Sequence, residues 1–352
     1  MEAPQRVKDT PFLRNVGLLL TYHCQASCAH CVIRAGPNRH EQMSLEDART
    51  WIHEIASYRD GYVCVLSLTG GEPFSDLDLL RAVVESASES ALCVSITTNA
   101  SWATSREAAV NILLSLPRIS SLAISTDVHH QKFVPFQVVQ NAILAARECG
   151  VAAYVSIVGD GDNDLAFQRI KCDVLKVTPA ENIREGITFP VGRASLIQAR
   201  LQYTFSETPP NEACQAASSP CIFPDGRVYG CIGPLIDLQD QHPLLLGNLH
   251  ESSLCDVLDS AETNAVLHAL RIWGPHKLIT MLREAGFGAH LPARYVEGSV
   301  CGACFSVMSD PAVREWLGEL EKDAAFRRRV AYARLYYLNE TGMLEVAGQE
   351  VM

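Results

Sequence analysis

The stretch Val16-Gly-Leu-Leu-Leu-Thr21-Tyr-His-Cys24-Gln-Ala-Ser-Cys28-Ala-His30-Cys31 decides the fold. Its first six residues form an apolar run, which predicts a buried strand. The strand leads directly into a loop that holds three cysteines. Similar apolar runs recur along the chain at 62–68, 91–97, 121–125 and 151–158, and a sixth strand is predicted at either 173–178 or 186–189.

Helical patterns lie between these strands. Their predicted starts are Ser44, Ser75, Thr104 with Glu107 in a capping box, and Pro135, whose helix ends at Gly150. Alternating strands and helices are typical of a parallel sheet. A closed eight-unit barrel needs roughly 250 residues, whereas only about 180 carry this pattern. We therefore predict an α/β fold with a partial (β/α)6 TIM-type barrel.

The composition changes after the barrel pattern stops. We predict a barrel domain over residues 14–200 and a small C-terminal domain over 201–310, which begins with a segment rich in Pro, Gly, Ser and Cys. Residues 311–352 are predicted to be a terminal helical segment, in which one charged amphipathic helix runs from Pro311 to about Leu338.

Polar residues follow the second, third and fourth strands where each strand ends. They are Gly70-Gly71-Glu72-Pro73, Thr97-Thr98-Asn99 and Ser125-Thr126-Asp127. Because the carboxyl ends of parallel strands share one edge of the barrel, these loops and the cysteine loop are expected to form one pocket. Three thiolates are one ligand short of a closed zinc site, and they leave one iron of a four-iron cluster open. The glycines allow close backbone approach to a ligand, and Glu72 and Asn99 can make polar contacts with it.

The spacing Cys24-x3-Cys28-x2-Cys31, with an aromatic residue at His30 and Gly-Gly-Glu-Pro after the second strand, resembles the radical S-adenosylmethionine (SAM) superfamily. The resemblance covers roughly residues 14–195. It implies that the three cysteines bind a [4Fe-4S] cluster whose open iron is chelated by SAM. It also implies that reductive cleavage of SAM gives a 5′-deoxyadenosyl radical, which takes a hydrogen atom from the substrate.

The resemblance also implies roles for individual residues. The segment Gly70, Gly71, Glu72 and Pro73 would hold the methionine amino group, and His30 would lie near the adenine. The ribose, carboxylate or substrate would be contacted by Thr98, Asn99, Ser125 and Asp127, and Arg193 is a further candidate for the carboxylate. A zinc knuckle completed by His23, His30 or a distant cysteine is the alternative for the three thiols.

A second set of cysteines follows the barrel, comprising Cys214, Cys221, Cys231, Cys301 and Cys304. Their spacing, with Leu246-Gly-Asn-Leu249, is similar to the auxiliary-cluster extensions called SPASM and Twitch. Since no cysteine follows Cys304, this resemblance implies one auxiliary [4Fe-4S] cluster, and we assign its ligands as Cys214, Cys231, Cys301 and Cys304. Structural zinc is the alternative metal.

Cys221 is then left over. It is a candidate hydrogen donor to a substrate radical, as an epimerase requires, or a substrate ligand. The alternatives are that it replaces Cys214 as a cluster ligand or is merely buried. Core packing is predicted for Cys64, Cys93, Cys149, Cys172 and Cys255. His129 and His130 could face the pocket, but solvent contact is the favoured interpretation for loop histidines.

The net charge of −11, from 29 basic and 40 acidic residues, argues against binding to nucleic acid or anionic membranes. The first residues contain no apolar signal core, and no apolar run reaches the roughly 18 residues of a membrane span. Thirteen cysteines without a secretion signal favour metal binding over disulfides. We therefore expect a cytoplasmic protein.

The predicted function is that of a radical SAM enzyme that modifies a ribosomally synthesised peptide by cross-linking, thioether formation or epimerisation. A dehydrogenase of a small-molecule alcohol or amine is the alternative enzyme, and a non-catalytic metal- or cluster-binding scaffold is the alternative of another class. Expected partners are an electron donor such as flavodoxin or ferredoxin and the substrate. Because only 23 residues precede Cys24, a separate leader-peptide recognition protein, or strand addition at a barrel edge, is expected to hold the peptide.

Overall fold

The structure is a computed structural model that describes residues 12–161, 164–238, 240–344 and 347. The chain divides into two compact units. The barrel unit comprises residues 15–203 and 221–227. The cysteine-rich unit comprises, among the described residues, 12–14, 204–220 and 228 onward.

The barrel unit contains the six strands expected from the sequence. They are β1 (Asn15–Leu19), β2 (Val65–Thr69), β3 (Cys93–Thr98), β4 (Ile119–Ser125), β5 (Ala152–Gly159) and β6 (Ile183–Ile187). All six pair in parallel and in chain order, so the predicted partial barrel is confirmed. The sixth strand overlaps only one end of the predicted range 186–189, and most of the other candidate range, 173–178, lies in or just after a helix.

The sequence did not predict a seventh parallel strand in this sheet. After β7 (Phe205–Ser206), the strand β8 (Cys221–Ile222) returns from the Pro- and Cys-rich segment and pairs with β1. Two residues are too few to show hydrophobic alternation, and Pro220 and Pro224 flank the pair at close range. Within the unit the order is β8-β1-β2-β3-β4-β5-β6, an open sheet.

Five helices connect these strands. They are α1 (Leu45–Ser57), α2 (Leu77–Glu89), α3 (Arg106–Leu114), α4 (Phe136–Glu148) and α5 (Leu165–Leu175). Ser44 caps α1 and Pro135 precedes α4, as predicted. Two predicted caps are wrong by one residue, because Asp76 rather than Ser75 caps α2 and Ser105 rather than Thr104 caps α3. In each case the side chain that accepts the backbone N–H lies directly before the helix.

The cysteine-rich unit is mainly helical. After β9 (Arg227–Tyr229) and β10 (Leu245–Asn248) come α6 (Leu254–Thr263), α7 (Ala265–Glu284), β11 (Tyr295–Val296), α8 (Val300–Ser309), α9 (Pro311–Lys322) and α10 (Ala324–Leu338). The single terminal helix predicted from Pro311 is therefore two helices. Asp323 divides them, because its side chain accepts the N–H of Phe326 and caps α10.

Five cysteines outside the two predicted sets were expected in the core, and this expectation is largely wrong. Cys64, Cys93, Cys172 and Cys255 are exposed, and Cys149 is half-buried. Strand and helix patterns fix which element a residue belongs to, but not which face it takes. Among the described residues, no helix is both long enough and apolar enough to cross a bilayer.

Candidate active site

A pocket lies at the carboxyl ends of the barrel strands, as the sequence predicts. Six predicted ligand-binding residues line it together with all three cysteines of the first set: His30, Gly70, Gly71, Thr98, Asn99, Ser125, Cys24, Cys28 and Cys31. Thr97 and His130 also line the pocket. Four loops therefore converge as expected for a parallel barrel.

Two of the three pocket thiols, those of Cys24 and Cys28, are buried, and that of Cys31 is half-buried. Burial raises the pKa of Cys24 to about 11 and that of Cys28 to about 12, and neighbouring acidic groups, including the carboxylates of Glu72 and Asp127, add to the shift. These thiols therefore become thiolates only beside a cation. The side-chain amide of Asn99 also contacts the sulfur of Cys24 at 3.5 Å. The arrangement fits three thiolate ligands around one metal cluster.

Gly70 and Gly71 hold the second loop against the cysteine loop. The N–H of Gly71 donates to the carbonyl of Thr21 at 2.6 Å, and the next N–H donates to the carbonyl of His23. A Cβ atom on Gly70 would lie 2.6 Å from the Thr21 carbonyl oxygen, and one on Gly71 would lie 2.1 Å from that of His23. Glycine is thus required for contact between two loops as well as for a pocket wall.

Glu72 lies behind the pocket wall rather than in it. One carboxylate oxygen accepts the hydroxyl of Thr98 at 2.7 Å and the N–H of Phe74, and the other accepts the N–H of Asn99 at 2.8 Å. The side chain therefore fastens the end of β3 to the second loop. Burial raises the pKa of Glu72 to about 7, although these hydrogen bonds favour the ionised form.

Glu72→Gln is expected to lower the free energy of unfolding at pH 5 by about 1–3 kcal/mol, because the amide nitrogen leaves the N–H of Asn99 without an acceptor. Wild-type Glu72 binds its proton more tightly when folded, so wild-type stability falls as the pH rises from about 4.5 to about 7. The difference in the free energy of unfolding between wild type and the variant should therefore narrow between pH 5 and pH 8. Thermal unfolding of both proteins, with exposed Glu85→Gln as the control, measures it. A stability difference between the two proteins that grows as the pH rises would contradict this account.

Asp127 lies behind the histidines of the pocket. One of its oxygens accepts the N–H groups of His129 and His130, and the other pairs with Nδ1 of His130 at 2.7 Å and Nε2 of His30 at 3.3 Å. Burial would raise the pKa of Asp127, but these histidine contacts outweigh it and hold the pKa well below its usual range. Burial lowers the pKa of His30. A carboxylate thus orients two imidazole rings.

Arg193 and Pro73 also support the wall from behind. The guanidinium of Arg193 donates to the carbonyls of Cys28 and Ala35, and its backbone N–H donates to the carbonyl of Cys31. These bonds hold the second half of the cysteine loop, from Cys28 to Ala35. Pro73 is buried and begins the short turn after Glu72.

The face of the sheet that carries Thr97 extends from the pocket along the strands. Side chains alternate along a strand, so Ser95 shares the face of the pocket-lining residue Thr97. Ser95 is in register with Ser67 and Ser121, and Ser67 is in register with Gly17. These residues form a row about 7 Å below Thr97 along the strands. The row is half-buried at its three serines.

Cys221 lies in this row. It pairs in register with Gly17, and a Cβ atom on Gly17 would lie 3.1 Å from the Cys221 sulfur. The sulfur is therefore on the pocket-side face of the sheet, over a residue without a side chain. Cys221 is 1% exposed and does not itself line the pocket described above. Burial raises its pKa to about 12, so it stays a thiol.

The four other cysteines of the second set lie together in the cysteine-rich unit. Burial, together with the neighbouring charge of Cys214, raises the pKa of Cys231 to about 12 and that of Cys301 to about 11. The pKa of Cys304 is raised by burial and by all three of the others. The N–H of Gly233 donates to the sulfur of Cys231 at 3.2 Å.

A kink in α7 makes room for the segment that carries Cys214. Gly274 has φ +67°, and a Cβ atom there would lie 1.8 Å from the carbonyl oxygen of Glu212. Pro275 follows the kink. The N–H of Cys214 then donates to the carbonyl of Leu270 at 2.8 Å. The Gly-Pro pair thus brings a loop cysteine against a helix of the same unit.

Comparison with known proteins identifies the barrel unit. Residues 18–171 match the family model described as the radical SAM superfamily. The barrel unit therefore contains a radical SAM domain. This radical SAM chain is 21% identical over 306 residues to a Bacillus subtilis (strain 168) protein named "Putative peptide biosynthesis protein YydG", which covers 84% of this chain and 92% of that protein.

Two solved structures are similar to this radical SAM chain. The structure of native anSMEcpe with bound AdoMet and Cp18Cys peptide has a TM-score of 0.51 and 13% identity, over 93% of this chain and 99% of that chain. The crystal structure of BtrN in complex with AdoMet and 2-DOIA has a TM-score of 0.43 and 13% identity, over 75% and 88% of the two chains. The first likeness supports the fold.

The loop after β4 contributes more to the pocket than its sequence indicates. His129 is 3% exposed and His130 lines the pocket, so their interpretation as solvent contacts is wrong. The signal was present in Asp127, because a carboxylate two or three residues before a histidine can fold back on it. Asp160 pairs with His129 at 2.7 Å, but the two residues are far apart in the chain, so the sequence gives no indication of this contact.

Proposed function

We propose that this radical SAM enzyme epimerises a residue of a ribosomally synthesised peptide and that Cys221 is the hydrogen donor. The observation that carries the proposal is the position of Cys221 on the pocket-side face of the sheet, opposite Gly17. The name of the Bacillus subtilis relative and the peptide bound by anSMEcpe support a peptide substrate.

The pocket residues fit the cofactors that the superfamily implies. Cys24, Cys28 and Cys31 would hold a [4Fe-4S] cluster, and the pocket wall at Gly70, Thr98, Asn99 and Ser125 would hold SAM. When bound, these groups supply the radical that removes a hydrogen atom from a substrate C–H bond. The protein supplies a buried site that excludes water and a fixed orientation of the substrate. A one-electron donor such as flavodoxin or ferredoxin would reduce the cluster.

Cys221 would complete the reaction on the opposite face of the substrate carbon. A hydrogen atom passes from sulfur to carbon, so that one S–H bond breaks and one C–H bond forms with the other configuration. The sulfur radical that remains takes one electron from the external donor and one proton to become a thiol again. Because this thiol is exchanged with solvent in each turnover, its hydrogen comes ultimately from water.

Cys214, Cys231, Cys301 and Cys304 are proposed to hold an auxiliary [4Fe-4S] cluster. Besides burial, the thiols of Cys214, Cys231 and Cys301 all contribute to raising the pKa of Cys304, which supports one shared metal centre for the four sulfur atoms. Four cysteine thiolates are the ligand set of a [4Fe-4S] cluster. This unit is similar to a Twitch domain in having one such group.

The proposal predicts deuterium uptake by a peptide. Reduced enzyme and SAM in deuterated water, supplied with synthetic peptides that match short reading frames beside its gene, should give product one mass unit heavier with a D-residue. Mass spectrometry and chiral amino-acid analysis measure this. A product two mass units lighter would show that the enzyme oxidises the peptide instead of epimerising it. Turnover of small alcohols or amines, with no peptide consumed, would overturn the peptide substrate. A parallel reaction also contains a separate leader-recognition protein, because such a protein is a proposed partner that would hold the peptide.

A further inference from the structure

Three imidazole rings pack against one another beside the cysteine loop. His30 stacks on His129 with ring centroids 4.6 Å apart and an interplanar angle of 20°. The ring of His130 meets His30 edge-on at 4.8 Å and 87°. His30 lies between Cys28 and Cys31 in the chain, so its ring connects the loop after β4 to the segment that carries two of the three thiols.

His129 is itself held from the end of β5. Its Nε2 atom lies 2.7 Å from a carboxylate oxygen of Asp160, and its side chain is 3% exposed. Burial would raise the pKa of Asp160, but the hydrogen bond from His129 outweighs it and lowers the pKa. Asp160 is therefore an ionised acceptor, and the imidazole N–H donates to it. The ring plane of His129 is fixed by this bond.

Asp160 in turn has a defined backbone position. Its N–H donates to the side chain of Asp164 at 2.9 Å, and its carbonyl accepts the N–H of Gln202 at 2.8 Å. The contacts thus run without a gap from the end of a barrel strand through Asp160 and His129 to His30. The cysteine loop has no helix or strand of its own between β1 and α1, so backbone bonds to neighbouring loops and side-chain contacts such as these together define its conformation.

We propose that His129 is a positioning residue that, held by Asp160, fixes the ring of His30 and thereby the orientation of the Cys28–Cys31 segment toward the pocket. Residues of this kind act through their neighbours, and their loss typically weakens ligand binding or activity by about 10- to 100-fold. The stacked ring is the part of His129 that touches His30. An aromatic ring at position 129 should therefore preserve most of the effect without the hydrogen bond.

The test compares His129→Ala with His129→Phe in the anaerobically reconstituted full chain. His129→Ala should weaken SAM binding about tenfold, whereas His129→Phe should stay within about threefold of wild type. Equilibrium dialysis measures the affinity. Electron paramagnetic resonance of the reduced protein provides a second readout, because the spectral change caused by SAM should be smaller in His129→Ala. The exposed His53→Ala is the control and should match wild type.

Three outcomes would overturn the proposal. SAM affinity and spectra that are unchanged in His129→Ala would show that the ring positions nothing. Equal weakening in the Ala and Phe variants would assign the effect to the hydrogen bond rather than to the stack. Loss of iron and of thermal stability in His129→Ala, in proportion to its lost affinity, would show a folding defect of the loop. None of these results depends on the identity of the substrate.

Discussion

Replacing Cys24, Cys28 and Cys31 together by alanine is expected to reduce 5′-deoxyadenosine formation to the level of a protein-free control. The reason is that these three thiols are the ones that line the pocket at the strand ends. Iron should fall from about eight to about four atoms per chain, because the second group of cysteines remains. Anaerobic reduction in the presence of SAM, followed by chromatography and iron analysis, measures both quantities.

A matched control is available in the same chain. Cys64, Cys93 and Cys172 are three exposed cysteines outside both groups, and their joint replacement by alanine should leave iron content and SAM cleavage unchanged. Cleavage that survives in the pocket variant would refute the assignment of these thiols. Loss of all iron from the pocket variant would instead refute the proposed second cluster.

Cys221→Ala is expected to abolish deuterium uptake and formation of the D-residue while SAM cleavage continues. The sulfur of Cys221 lies on the pocket-side face of the sheet, whereas the thiols of the first loop lie at the strand ends. Removing it should therefore separate hydrogen abstraction from hydrogen return. The ratio of epimerised peptide to 5′-deoxyadenosine, measured in deuterated water, is the quantity that changes. Exposed Cys255→Ala is the control.

Gly17→Ala tests the same proposal without removing the thiol. The added methyl group would lie 3.1 Å from the Cys221 sulfur and must displace it. The ratio of epimerised peptide to 5′-deoxyadenosine should fall below that of wild type, with iron content unchanged. Full epimerisation in Cys221→Ala would show that another group returns the hydrogen atom.

The six-stranded barrel was predictable because hydrophobic patterning, which its strands show clearly, is the strongest indication of secondary structure in a sequence. Each is a short apolar run bounded by turn residues, and Leu66, Leu68, Val94 and Ile96 are indeed fully buried. Strand β8 gave no such signal, since a two-residue strand has no periodicity. Its existence depends on pairing with β1, which is 204 positions away in register, and local sequence does not encode that.

The location of the pocket was predictable from the sequence, but the role of each residue around it was not. Topology alone requires that loops after parallel strands meet, so residues such as Asn99 and Ser125 were expected in the pocket, and they line it. Sequence does not show whether a polar side chain points to a ligand or to a neighbouring loop. Glu72 and Arg193 both support the wall from behind, which only the hydrogen bonds reveal.

The most direct test of the central claim is the electron paramagnetic resonance spectrum of the reduced protein before and after SAM is added. The account predicts that SAM alters one of two cluster signals, and that this signal is missing when Cys24, Cys28 and Cys31 are alanines. A spectrum that SAM leaves unchanged, or one that keeps its SAM-sensitive signal in that variant, would contradict it.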